Sequence, residues 1–261
     1  MIGSGAAATS STTTRTIDRS WWTWSGAHGG YTAALALAAM RGQVDGAQRV
    51  RTLSASFLAP VDERPLSLAV TLEHAGRSMS HAALRAHQDR GLALLATATF
   101  GLGRGPHSHA WTAMPAVPGV ASCEPVQSAP ADRVPMSVHI EYRPAGPALA
   151  LAGGEQAELL FWVRFTDRRA VDAEAVLTLA DSLPPSLFAV LTSAVPVPTV
   201  GMSAHFTEAL DQGPAGEWVL LRATTEHVGS GWVMENITGW AEDGRLLCNV
   251  RQARRILAGL S

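Results

Sequence analysis

Three polar residues, Asp181, Thr199 and Gln252, stand where the pattern around them gives each an unusual setting. Asp181 lies in "VLTLADSLPPS", residues 176–186, close to the end of an expected helix that Leu183-Pro184-Pro185 should stop. A helix C-terminus is electronegative because its last carbonyls have no partner, so an acid there costs a few tenths of a kcal/mol to about 1 kcal/mol unless another group uses it. Val176, Leu179, Ala180 and Leu183 form the apolar stripe of this helix. Asp181 projects from the far side with Glu174 and Thr178, and periodicity alone reads that side as a solvated face. Gln252 continues the alternation of Leu246, Cys248 and Val250, so in a regular strand its amide points inward and must find hydrogen bonds. If the strand ends earlier, the same amide is exposed. Thr199 opens a strand directly after Pro198, as an ordinary β-branched residue also would.

A second group precedes the first helix. His28-Gly29-Gly30-Tyr31 could present free backbone N–H groups to an anion or oxyanion. Equally, the two glycines could serve tight packing of helix on sheet. His107 and His109 suggest a metal, but no carboxylate or cysteine stands at ligand spacing, so no metal or other cofactor is expected. A G-x-S-x-G nucleophile elbow and a Walker motif are both missing, and "GLGRG" at 101–105 runs into Pro106 instead of a helix. Trp21, Trp22 and Trp24 could line an apolar pocket, but such a cluster more often closes a core or an oligomer contact, and Arg254 and Arg255 could meet a phosphate but read rather as surface residues.

The elements that must carry these residues repeat. "SASFLAPV" from Ser54 matches "SAHFTEAL" from Ser203, and "LEHAGRSMSH" from Leu72 matches "TEHVGSGWVM" from Thr225. "QDRGLALLATATF" from Gln88 then matches "EDGRLLCNVRQA" from Glu242. The offsets are nearly constant, 149 from 54 to 203 and 153 from 72 to 225, which points to an internal duplication. At the larger offset Gln252 falls on Thr99, so the glutamine belongs to one half only. In the first half a helix from about Gly29 precedes strands near 50–59, 66–74, 77–88 and 91–100. In the second, strands near 137–143 and 157–166 precede a helix near 172–183. Strands near 198–207, 217–227, 231–240 and 245–255 follow, with Asp243-Gly244 as a hairpin turn. A helix packed on an antiparallel meander, twice, is an α+β fold. Residues 1–19 are Ser/Thr-rich and read as a flexible tail, 20–103 and 137–257 are the two folded units, and 104–136 is a Pro-rich linker.

The chain has 261 residues, 47% hydrophobic and 16% charged, with net charge −2, a globular composition without the basic surface that nucleic acid requires. All 20 of its Lys+Arg residues are arginine, and its two cysteines do not make a disulfide framework. No apolar run has the length of a membrane helix and no secretion signal is present, so no membrane partner and a cytoplasmic location are expected.

"HGGYTAALALAAM", "SASFLAPV" and "AGRSMSHAALRAHQDRGLALLATATFG" resemble the first half of a double hot-dog acyl-CoA thioesterase, and "ADSLPP", "VPTVGMSAHF", "EWVLLRATT" and "EDGRLLCNVRQ" resemble its second half. The family is acyl-CoA thioesterase II (TesB-like), in its broader thioesterase-like branch, over roughly residues 20–257. The resemblance implies two tandem hot-dog repeats, each a helix wrapped by an antiparallel sheet, joined into one continuous sheet. It implies hydrolysis of an acyl-CoA to free acid and CoA, with Asp181 as base and Thr199 and Gln252 holding the water. His28, Gly29, Gly30 and Tyr31 would bind the substrate and its oxyanion. Where such proteins carry a "GGQ"-like stretch at the first helix, this chain reads "HGGYT". Two other readings stand beside this one: a non-catalytic acyl-CoA or lipid binder, and a hydratase or dehydratase with His28 as base. Fusion of two hot dogs supplies the pairing that single ones obtain by dimerising, and association into a homo-oligomer is compatible with it.

Overall fold

The computed structural model describes residues 9–103, 105, 108–127 and 129–257. Strand β1 (Thr9–Arg15) and a short ribbon, β2 (Trp22–Thr23) with β3 (Gly26–Ala27), lead into helix α1 (Gly29–Arg41). Strands β4 (Arg49–Phe57), β5 (Leu66–Ala75), β6 (Met79–Gln88) and β7 (Gly91–Gly101) complete the first half. The second half holds β8 (Ile140–Pro144), β9 (Glu158–Phe165), α2 (Ala173–Ala180), β10 (Thr199–Phe206), β11 (Val219–Gly229), β12 (Trp232–Ala241) and β13 (Leu246–Arg255). Among the described residues no helix is long and apolar enough to cross a membrane.

Apart from the ribbon, the strands form one antiparallel sheet in the order β1-β5-β6-β7-β4-β10-β13-β12-β11-β9-β8. The run β5-β6-β7-β4 is mirrored by β10-β13-β12-β11, so each half contributes the same meander and the halves join through β4 and β10. Their register is self-complementary. Ser54 pairs with Ser203, Leu53 with Ala204 and Ala55 with Met202. The residues that the repeat aligns 149 positions apart thus meet at a local two-fold axis. This is the continuous double hot-dog sheet that the resemblance implies.

The sheet wraps α1 and α2, which pack on each other. Alanine-rich α1 keeps a thin profile and buries Ala33, Ala36, Leu37 and Met40 completely. Every residue of α2 except Glu174 is buried, with Val176, Leu177 and Leu179 fully enclosed. Each such leucine contributes about 1.5–3 kcal/mol by leaving water. Asp172 caps the start of α2 by accepting from Ala175 N–H at 2.8 Å. The helix ends at Ala180, earlier than the expected 183, and Asp181 is its C-cap residue. The Asp181 side chain is only 6% exposed. The far side of α2 is therefore an interior face, because α1 covers what one-helix periodicity assigns to solvent.

Two further expectations need correction. Part of the segment read as a flexible tail, Thr9–Arg15, is an edge strand paired with β5 from Thr9↔Leu72 to Arg15↔Leu66. Its threonines are β-branched, which suits an edge strand that needs only one neighbour. The segment read as a linker covers the outer face of the second half-sheet. There Met114, Val117, Val120 and Cys123 pack with Trp162, Trp218 and Trp240. The indoles of Trp162 and Trp240 donate to the carbonyls of Pro118 and Thr112, at 3.0 and 3.2 Å. Of the histidine pair His107 and His109, His107 lies outside the described residues.

Candidate active site

The site forms where the N-terminus of α1 meets the C-terminus of α2. The β2–β3 ribbon delivers His28, which is 2% exposed and caps α1. Its Nδ1 accepts from Tyr31 N–H at 3.1 Å, and its Nε2 lies 2.9 Å from the Asp181 backbone carbonyl. An amide N–H only donates and a carbonyl only accepts, so the neutral ring must carry its proton on Nε2. Both ring nitrogens are then engaged and no lone pair is left to take a proton.

Gly29 and Gly30 allow the two helix ends to touch. Gly30 N–H donates to Asp181 Oδ2 at 2.7 Å. A Cβ on Gly30 would lie 2.7 Å from both Asp181 Cβ and the Leu177 carbonyl, and one on Gly29 would lie 2.9 Å from Asp181 Oδ2. Close packing against Asp181 is thus the role the backbone imposes on this pair. Gly30 N–H and Tyr31 N–H are both occupied, while Gly29 N–H has no hydrogen-bond partner among the described residues.

The sheet supplies the other side. Thr199 opens β10 at a bulge that separates it from Gly201 in the pairing with β13. Bulges re-aim side chains, and Thr199 Oγ1 lies 3.1 Å from Gln252 Oε1 and 3.5 Å from Asp181 Oδ1. Gln252 is 1% exposed, and its Nε2 donates to Asp181 Oδ1 at 2.7 Å. Asp181, Thr199 and Gln252, from three separate elements, therefore meet at one carboxylate, with Gly30 N–H on its second oxygen and the His28 ring beside it. Tyr31 turns away to stack on Trp21, with ring centroids 4.3 Å apart.

Two residues of this cluster were read differently or passed over in the sequence. Arg254 is 6% exposed and not a surface residue. Its Nη2 is 3.6 Å from Asp181 Oδ1, and its Nε donates to Glu235 Oε2 at 2.6 Å. Glu235, 1% exposed, accepts at Oε1 from the N–H and hydroxyl of Ser186. The period-2 signal that assigns Gln252 inward extends to Arg254 two positions later, and a charge at such a position is the sign of a buried pair.

The duplication offers a counterpart position, and it is apolar. Val50↔Phe100 and Leu53↔Ala98 in β4–β7 correspond to Thr199↔Arg254 and Met202↔Gln252 in β10–β13, with a bulge at the same place in both pairs. Val50, Ala98 and Phe100 therefore replace Thr199, Gln252 and Arg254. The counterpart of Gln252 is the buried Ala98, not Thr99, which bonds His81 on the other face of the sheet. A cysteine nucleophile has no support either, since burial pushes the Cys248 thiol up to about 12.

Comparison with known proteins agrees with this architecture. Residues 120–256 match the family model described as the acyl-CoA thioesterase C-terminal domain, and residues 18–101 match that of the acyl-CoA thioesterase N-terminal domain. The first of these matches starts inside the segment read as a linker. No curated protein matches. A hot-dog protein of unknown function from Alicyclobacillus acidocaldarius is similar in structure, with a TM-score of 0.88 and 25% identity over 95% of this chain and 94% of that one. An acyl-CoA thioesterase II from Mycobacterium marinum has a TM-score of 0.71 and 20% identity over 88% of this chain and 89% of that one. A tesB protein from Mycobacterium avium subsp. paratuberculosis has a TM-score of 0.72 and 18% identity over 89% of this chain and 88% of that one. With both halves of its double hot dog matched, the chain belongs to the acyl-CoA thioesterase family and is a thioester hydrolase.

Proposed function

We propose that the chain hydrolyses an acyl-CoA by attack of a water that Asp181 deprotonates. The observation that carries this reading is the convergence of the Gln252 amide and the Thr199 hydroxyl on Asp181 Oδ1, at 2.7 and 3.5 Å. Thr199 and Gln252 orient the water, and Asp181 takes its proton as the oxygen attacks the thioester carbon. Gly29 N–H is the donor left to stabilise the oxyanion. When the tetrahedral intermediate collapses, the C–S bond breaks and the CoA sulfur leaves with the proton. Free acid and CoA are released and Asp181 is again a carboxylate. His28 acts as cap and support. With both nitrogens engaged it offers no base to a hydratase, which counts against that reading.

The test is thiol release from short, long, branched and aromatic acyl-CoAs, with the native chain and Asp181→Asn. The expected result is turnover by the native chain and a loss on the order of a hundredfold or more in a folded Asn variant. A fully active, folded Asn variant removes Asp181 as the base. Binding of acyl-CoA without any thiol release identifies a binding protein with a silent site.

A further inference from the structure

We infer that Arg254 is a positioning residue for the reaction: among the described residues, the one counter-ion that two buried carboxylates, Asp181 and Glu235, share. The inference rests on the reading of Asp181 as base.

Charge accounting leads to it. Asp181 has a side chain 6% exposed and Glu235 is 1% exposed. Two carboxylates taken out of water together repel, and a buried charge persists only if paired. The nearby His28 does not offset them, because its hydrogen bonds define a neutral ring. Arg254 is the cation that reaches both, and it does so unequally. Its Nε donates to Glu235 at 2.6 Å, a short charge-assisted bond, whereas its Nη2 stops 3.6 Å from Asp181 Oδ1.

That asymmetry gives each residue its part. Glu235 is fixed by Ser186 N–H at 2.5 Å and Ser186 Oγ at 2.7 Å, and Ser186 Oγ is in turn 2.8 Å from Thr225 Oγ1. Glu235 therefore anchors the guanidinium. Arg254 supplies charge to Asp181 without a direct hydrogen bond to it. The Asp181 oxygens keep their bonds to Gln252 and Gly30, and the carboxylate stays available to a water proton. Arg254 and Gln252 are two residues apart on β13, so one strand brings both groups to the same oxygen. In the counterpart position of the first half, Phe100 stands for Arg254 and Ala98 for Gln252. Cation and amide are present together in one half and replaced together in the other.

The experiment measures kcat and KM for the acyl-CoA turned over fastest by the native chain, with circular dichroism as the check on folding. Arg254→Met is expected to lower kcat about tenfold or more with KM unchanged, and Arg254→Lys, which keeps the charge, to stay within about threefold of native. A folded Arg254→Met variant with native kcat overturns the inference, as does a Lys variant as slow as the Met variant. Because Arg254→Met leaves Glu235 buried and unpaired, it could fail to fold. In that event Arg254→Met/Glu235→Gln is compared with Glu235→Gln alone: about a tenfold lower kcat supports the inference and equal kcat overturns it. Asp181→Asn in the same assay separates the two levels. An active Asn variant defeats the base itself, whereas an inactive Asn variant beside an active Met variant defeats only the role of Arg254.

Discussion

Asp181 Oδ2 accepts a hydrogen bond from Gly30 N–H at 2.7 Å, and this contact accounts for an acid at the end of a helix. The C-terminus of α2 is the wrong place for a negative charge, but the N-terminus of α1 is the right one. Its unpaired N–H groups carry partial positive charge, which favours an anion. Asp181 thus pairs with the helix across from it.

Gly30→Ala should be damaging in both fold and activity. The added methyl would meet Asp181 Cβ and the Leu177 carbonyl at 2.7 Å, and the carbonyl is backbone inside α2. Separating the helix ends is expected to cost about 1–3 kcal/mol of stability, as overpacking does. Displacing Asp181 by even about 1 Å should lower kcat by roughly a hundredfold. Gly46→Ala is the control, because nothing lies within 4 Å of its added methyl. Thermal melts and thiol-release kinetics on both variants check this. Native activity in Gly30→Ala would show that the contact does not hold the carboxylate.

One ligand should bind per chain although the chain holds two hot dogs. Val50, Ala98 and Phe100 offer no hydrogen bond where Thr199, Gln252 and Arg254 do. Titration calorimetry with a non-hydrolysable thioether analogue of an acyl-CoA substrate is expected to give about one site per chain, because orientation of a ligand depends on placed polar groups. A second site of equal affinity would mean that binding does not depend on these residues.

Much of this arrangement was legible in the residue pattern. The repeat at 54 and 203 pointed to the duplication, and the alternation through Val250 pointed Gln252 inward provided the strand ran on. Three features were not. Periodicity describes a helix with one buried face, and α2 is buried on nearly all of its surface, so Asp181 and Thr178 looked exposed. A constant repeat offset misses local one-residue shifts between halves, which is why Thr99 stood for Ala98. The serines and threonines before Arg15 read as disorder because their partner, β5, is more than fifty residues away in sequence.

Stability should fall as pH drops below about 6.5, and His139 should account for part of that slope. Its ring stacks on Trp21, with centroids 4.1 Å apart and planes within 8°, and lies 2.8 Å from Ser20 Oγ. Burial, and then the nearby Arg169, hold its pKa below the usual histidine value in the folded chain. Above about pH 6.5 both folded and unfolded chains carry a neutral ring and the stack contributes fully. As pH falls, the unfolded chain binds the proton first, so stability is lost until pH passes below the depressed folded value, where the slope levels off. Urea midpoints between pH 5 and 8, for the native chain and His139→Phe, check this. The Phe variant keeps an aromatic ring in the stack and should show a flatter dependence, and an unchanged slope would assign the loss to other groups.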